Sequence, residues 1–214
     1  MNMRFALGCL ASAAVFCGYA QETAEEAKAP AKVEENKAAE NTPPENKEKQ
    51  MTVVIIETSK GNITVELNDE KAPITVANFL AYMDDGHYTD TIFHRVMKNF
   101  MIQGGGFTAD MRQKATKAGI KLESRNGLKN ERGTIAMART NVPDSATSQF
   151  FINHVNNANL DFPSFDGHGY AVFGRVIDGM DVVDAIAEVA VGNRGGHQNV
   201  PSEAVFIKKI SRKE

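Results

Sequence analysis

The stretch Ile92-Phe93-His94-Arg95-Val96-Met97-Lys98-Asn99-Phe100-Met101-Ile102-Gln103-Gly104-Gly105-Gly106-Phe107 sets one arginine among large apolar residues. It then adds one amide and three glycines, residues that let backbones approach closely. Arginine is rarely buried without a partner, so an apolar setting for Arg95 points to a greasy groove holding a fixed fork of donors. The other reading is an edge strand whose arginine faces solvent, and this stretch alone leaves both open.

Further along, Gly133-Thr134-Ile135-Ala136-Met137-Ala138-Arg139 leads, after the turn-rich residues 140–147, into Ser148-Gln149-Phe150-Phe151-Ile152-Asn153. Here the chain resembles the cyclophilin family of peptidyl-prolyl cis-trans isomerases. The resemblance is carried by Phe93-His94-Arg95-Val96, Phe100-Met101-Ile102-Gln103-Gly104-Gly105, Met137-Ala138, Ser148-Gln149-Phe150-Phe151-Ile152 and Ala171-Val172-Phe173-Gly174. These blocks fall in the family's order over most of residues 51–214, and Asn126-Gly127-Leu128-Lys129-Asn130 before Arg132-Gly133 resembles the compact bacterial branch.

Working outward from these blocks, residues 1–20 carry Arg4, an apolar run from Phe5 to Phe16 and small residues at Gly18 and Ala20. That pattern reads as a secretory signal peptide cleaved near Ala20, too short for a membrane span, and it predicts a periplasmic or secreted protein. Both cysteines, Cys9 and Cys17, fall inside it, so the mature chain would have no thiol. A lipid anchor on Cys17 is a poor alternative, because Phe16 stands where such processing prefers a small residue. Residues 21–50 hold eight Glu, five Lys, three Pro and one large aliphatic residue, Val33. Such a segment buries too little apolar surface to offset ordering and reads as a disordered linker. The domain at 51–214 then has 19 acidic and 18 basic side chains, without the basic excess that nucleic acid or anionic lipid would call for.

Alternating apolar residues predict strands at 53–57, 63–67, 91–97, 100–104, 134–138, 150–153, 170–177 and 204–210. Pro73 opens a helix with Val76, Phe79, Leu80 and Met83 on one face, and a second helix spans 178–188 with Val182, Val183 and Ile186 inward. Many short strands with two helices fit a closed barrel, and the family resemblance implies a mostly β fold: an eight-stranded antiparallel barrel with a helix capping each end.

Rotation about a peptide bond is opposed by a barrier of about 18–20 kcal/mol, because the nitrogen lone pair is delocalised. Lowering it needs a donor aimed at the nitrogen of the twisted state, with no nucleophile, metal or cofactor. Arg95 suits that role, with Gln103 beside it. The resemblance implies that Phe100, Met101, Phe151 and Leu160 wall a pocket for the proline ring. It further implies that Gln149 and the backbone at Ala138 and Arg139 hold the residues before proline, and that Tyr170 stands in place of a pocket histidine. Arg139 occupies a position where many members carry asparagine. Asn159 replaces an aromatic beside Leu160, which implies weak cyclosporin binding. Phe150 should alternate into the core, and His94 should alternate to the face opposite Arg95 as a packed or barrel-interior residue.

The five histidines show no metal-ligand spacing. Ser148 with Asp144 and His154 lacks a nucleophile elbow, and residues 104–106 lack the Lys-Ser/Thr of a phosphate loop. The expected partners are proline-containing peptides and unfolded exported proteins, met by a monomer. A module that binds peptides through the same groove with little catalysis is the alternative.

Overall fold

Residues 51–213 are described by the computed structural model. The expected signal segment, linker and both cysteines lie outside the described residues. Ten strands and two helices follow one another: β1 (Val53–Thr58), β2 (Gly61–Leu67), α1 (Pro73–Asp84), β3 (Thr91–Met97), β4 (Met101–Gly104), β5 (Thr134–Met137), β6 (Phe150–Asn153), β7 (Val172–Asp178), α2 (Met180–Ala187), β8 (Val191–Arg194), β9 (His197–Pro201) and β10 (Phe206–Arg212). Eight strands close an antiparallel barrel in the order β1-β10-β3-β4-β6-β5-β7-β2, and β8 and β9 form a separate two-stranded sheet. Closure leaves none of the eight with an unpaired edge.

Side-chain alternation splits the wall into an inner and an outer face. Val54, Ile56, Ile63, Val65, Leu67, Phe93, Ile102, Ile135, Phe150, Ile152, Phe173 and Ile207 are fully buried and pack into one core. The rings of Phe79, Tyr88 and Phe93 surround Phe150 with centroids 5.6, 5.6 and 6.2 Å away, an edge-to-face geometry that adds to apolar burial.

The helices cover opposite ends of the barrel. Phe79 of α1 packs against Phe150 and Phe173, where β6 and β7 begin. On α2, Val182 lies over Gly61 and Met180 over Gly133, where β2 and β5 begin. The buried stripe of α1 is wider than its periodicity predicts: Tyr82 is buried with Val76, Phe79 and Met83, and Leu80 is half-buried at the margin. With Pro73 in its first turn and no local cap, α1 takes its N-terminal acceptor from far along the chain. Glu123 receives the N–H groups of Ile74 and Thr75 at 3.1 and 2.8 Å and the Thr75 hydroxyl at 2.7 Å.

Candidate active site

One register row crosses the outer wall of the barrel. Arg95 pairs with Gln103, Gln103 with Phe151, Phe151 with Ala136 and Ala136 with Val172, so five strands present these residues in line. Their outward neighbours are apolar as well, and Met101, Ala136, Phe151, Leu160 and Val172 form a second buried cluster outside the main core. An apolar patch on the outside of a barrel needs a cover, and here residues from the connecting loops supply only part of one.

A bulge presents Arg95. Phe93 pairs with Gly104 and Arg95 with Gln103, so two steps on β3 face one step on β4 and His94 is the extra residue. Phe93 and Val96 both turn inward, leaving His94 and Arg95 together on the outer side. The expectation that His94 faces away from Arg95 is therefore corrected: His94 is packed, but it borders the same cavity. The cause is in the sequence, since inward residues spaced by three rather than two require an inserted residue.

Ten residues expected at the site line a single cavity of about 480 Å³: Arg95, Phe100, Met101, Gln103, Ala138, Arg139, Gln149, Phe151, Leu160 and Tyr170. Sequence reasoning missed the other border, made by His94, Phe107 and residues 196–199 at the tip of the β8–β9 hairpin. Its one signal was Gly195-Gly196 between short runs, a hairpin turn in which both glycines have positive φ. The His94 ring lies tilted against Phe107 at 4.5 Å and Phe107 meets His197 edge-on at 5.0 Å, which ties the hairpin to the barrel. Asn159 is exposed and does not line the cavity.

The polar groups form a relay. Arg95 Nη1 makes a long 3.5 Å contact to Gln103 Oε1, and Gln103 Nε2 donates to Gln149 Oε1 at 3.0 Å. Gln149 can lie there because Gly106 has no side chain: a Cβ would stand 2.4 Å from Gln149 Cγ. Among the described residues no carboxylate comes within ion-pair distance of Arg95, so its charge faces the cavity unneutralised. Burial, reinforced by His197 and Arg95 nearby, pushes the His94 imidazole down to about 4, so it is neutral at pH 7.

The apolar wall is held from behind. The Phe100 carbonyl accepts from the His154 N–H and from Asn157 Nδ2, both at 2.9 Å. Asn157 also donates to Asn153, Asn153 to Asn130, and Asn130 to Asp161, a buried amide chain that fixes the loop carrying Leu160. The Ala138 N–H donates to the Gln149 carbonyl at 3.0 Å. The hydrolase arrangement does not form, because His154 turns to Asp184 at 3.1 Å while Ser148 is fully buried. Among the described residues there is no group of acidic, histidine or cysteine side chains able to hold a metal.

Residues 53–212 match the family of cyclophilin type peptidyl-prolyl cis-trans isomerases. The chain is a cyclophilin. Among relatives of this cyclophilin, the peptidyl-prolyl cis-trans isomerase cyp18 of Streptomyces antibioticus is 59% identical over 160 residues, covering 74% of this chain and 96% of that one. Peptidyl-prolyl cis-trans isomerase B of Escherichia coli K12 is 56% identical over 164 residues, covering 76% of this chain and all of the relative. The crystal structure of a Cryptosporidium parvum cyclophilin superposes with a TM-score of 0.63 at 28% identity, over 77% of this chain and 98% of that one. A second crystal structure of that protein, in the presence of the dipeptide Ala-Pro, gives 0.62 at 28% identity over 76% and 99%. This cyclophilin is a peptidyl-prolyl cis-trans isomerase with the barrel and two helices expected from its sequence.

Proposed function

We propose that Arg95 drives isomerisation by donating from its guanidinium to the prolyl nitrogen as the peptide bond twists and that nitrogen becomes pyramidal. The observation that carries this is a guanidinium that, among the described residues, meets no carboxylate within ion-pair distance, set by the β3 bulge at the rim of the cavity beside Gln103 and the apolar wall of Phe100, Met101, Phe151 and Leu160. A donor held in place ahead of the reaction stabilises the twisted state without reorganising, and does so more strongly where water is excluded. Phe100, Met101, Phe151 and Leu160 receive the proline ring, while Gln149 and the backbone at Ala138 and Arg139 hold the residues before it. The hydrophobic wall supplies binding, and the fork supplies the difference between ground and twisted states.

The biological reading is that the enzyme acts outside the cytoplasm, in a periplasm or beyond the cell, on proline-containing segments of unfolded exported proteins. Residues 1–20 support it through their charged start, apolar run and small residues. A monomer with weak cyclosporin binding belongs to the same reading. The test is to recover the protein from fractionated cells and sequence its amino terminus. A start near Gln21 in the exported fraction is expected, together with acceleration of a proline-limited refolding phase of an exported protein. Intact Met1 in the cytoplasm would overturn the assignment of compartment.

A further inference from the structure

Arg139 was expected to matter only through its backbone, yet its side chain is 1% exposed. A guanidinium so far from water has to be paired and hydrogen-bonded. Here every arm is engaged: Nε donates to the Gly169 carbonyl and Nη1 to the Thr140 carbonyl, both at 2.9 Å, and Nη2 binds the Asp166 carboxylate. The second oxygen of Asp166 accepts the N–H groups of His168 and Gly169 at 3.0 and 3.2 Å. The Arg139 bond, ahead of these backbone donors, lowers the Asp166 carboxyl to about 2.

What this assembly grips is a ring of the cavity. The Arg139 guanidinium lies 4.6 Å from the centre of the Tyr170 ring, and Tyr170 meets Phe151 edge-on at 5.7 Å. Tyr170 is also tied through its N–H to the Leu160 carbonyl at 3.0 Å. Phe151, Leu160 and Tyr170 all line the cavity. Arg139 itself borders the cavity, and its planar fork is seated against the aromatic wall through Tyr170.

We propose that Arg139 is a positioning residue whose guanidinium, neutralised by Asp166, clamps Tyr170 against Phe151 and so sets how tightly the cavity holds the proline side of its substrate. The proposal rests on the reading of Phe151 as a proline-pocket wall. Lysine in place of Arg139 keeps the charge but loses the plane and the fork, so it cannot stack on the ring while bonding two carbonyls. The clamp acts on binding, equally in ground and twisted states, so it governs KM and leaves kcat alone.

The test is steady-state kinetics on Ala-Pro peptides with wild type, Arg139→Lys, Tyr170→Phe, Tyr170→Leu and the double variant Arg139→Lys/Tyr170→Leu, each also melted to confirm folding. Arg139→Lys should raise KM by roughly 5- to 20-fold with kcat held within about twofold, the pattern of lost uniform binding. Tyr170→Phe keeps the ring the guanidinium lies on and should raise KM less than Tyr170→Leu does, Tyr170→Leu should match Arg139→Lys, and the double variant should be no worse than either single, because coupled residues are not additive. Additive losses, or a kcat that falls with the folded fraction while KM stays fixed, would overturn the clamp in favour of a purely structural arginine. Phe151→Ala separates the two levels of the argument. If it leaves KM unchanged, the reading of the wall fails and the clamp with it; if it raises KM while Arg139→Lys does not, the clamp alone is refuted.

Discussion

At the scale of single residues, two buried or half-buried bases differ in what their surroundings allow. Arg95 presents a planar guanidinium fork, and among the described residues no carboxylate lies within ion-pair distance of it. His94, its neighbour, is 4% exposed and neutral at pH 7, so it adds no charge beside that guanidinium. The depressed imidazole has a stability consequence. Above its ordinary value of 6.5 neither the folded nor the unfolded state binds the proton. Between 6.5 and about 4 the unfolded chain takes it up and the folded chain does not. Stability is therefore lost as pH falls through that window, by on the order of 3 kcal/mol, and the loss levels off below it. Urea titrations at pH 7, 5.5 and 4 check this: His94→Gln should show a shallower fall in unfolding free energy than wild type, and parallel curves would remove His94 as the cause. Arg139 shows why some of the site could not be read in advance. Its partners Asp166 and Gly169 lie 27 and 30 residues away in an irregular loop, where no periodicity signals a contact.

At the scale of elements, the barrel strands were legible because their period of two is strong: Ile63, Val65 and Leu67 alternate with polar residues, and all three are fully buried. The second helix was legible for the same kind of reason, with Val183 and Ile186 fully buried, although it begins at Met180 rather than at 178. The β8–β9 hairpin was not, because nearly every residue from Val191 to Gln198 is exposed and the run is rich in glycine and polar groups. Such a segment carries no burial pattern, and its place is marked by the edge-on contact of His197 with Phe107. The start of α2 depends on Gly179, at φ +86°, where an added Cβ would stand 2.3 Å from the Asn62 carbonyl oxygen. Gly179→Ala should cost about 3 kcal/mol, combining left-handed backbone strain with that clash. Thermal melting measures it, and a midpoint within a degree of wild type would contradict the account.

At the scale of the whole molecule, the fold and the site are two faces of one sheet. The inner face buries Phe150 and Ile152, while the outer face of the same strand offers Phe151 to the cavity. The groove is thus built on strands whose register is fixed by barrel closure, which gives positions firmer than a loop could. It follows that residues 51–214 should suffice for catalysis. A protein beginning at Met51 should match the kcat/KM of one beginning at Gln21 within about twofold, since no expected site residue precedes Arg95; a larger loss would give residues 21–50 a part in the reaction.

The central claim is that this groove binds through its apolar wall and catalyses through Arg95. The measurement that separates the two is exchange NMR on an Ala-Pro peptide, recording both the affinity and the cis-trans exchange rate with wild type, Arg95→Ala and Arg95→Lys. The account predicts that both variants bind within a fewfold of wild type while Arg95→Ala exchanges roughly 10²- to 10³-fold more slowly, the scale of losing one preorganised donor. Arg95→Lys should recover little of that rate, because a point charge does not replace the planar fork. Exchange that persists at the wild-type rate in Arg95→Ala would contradict the account.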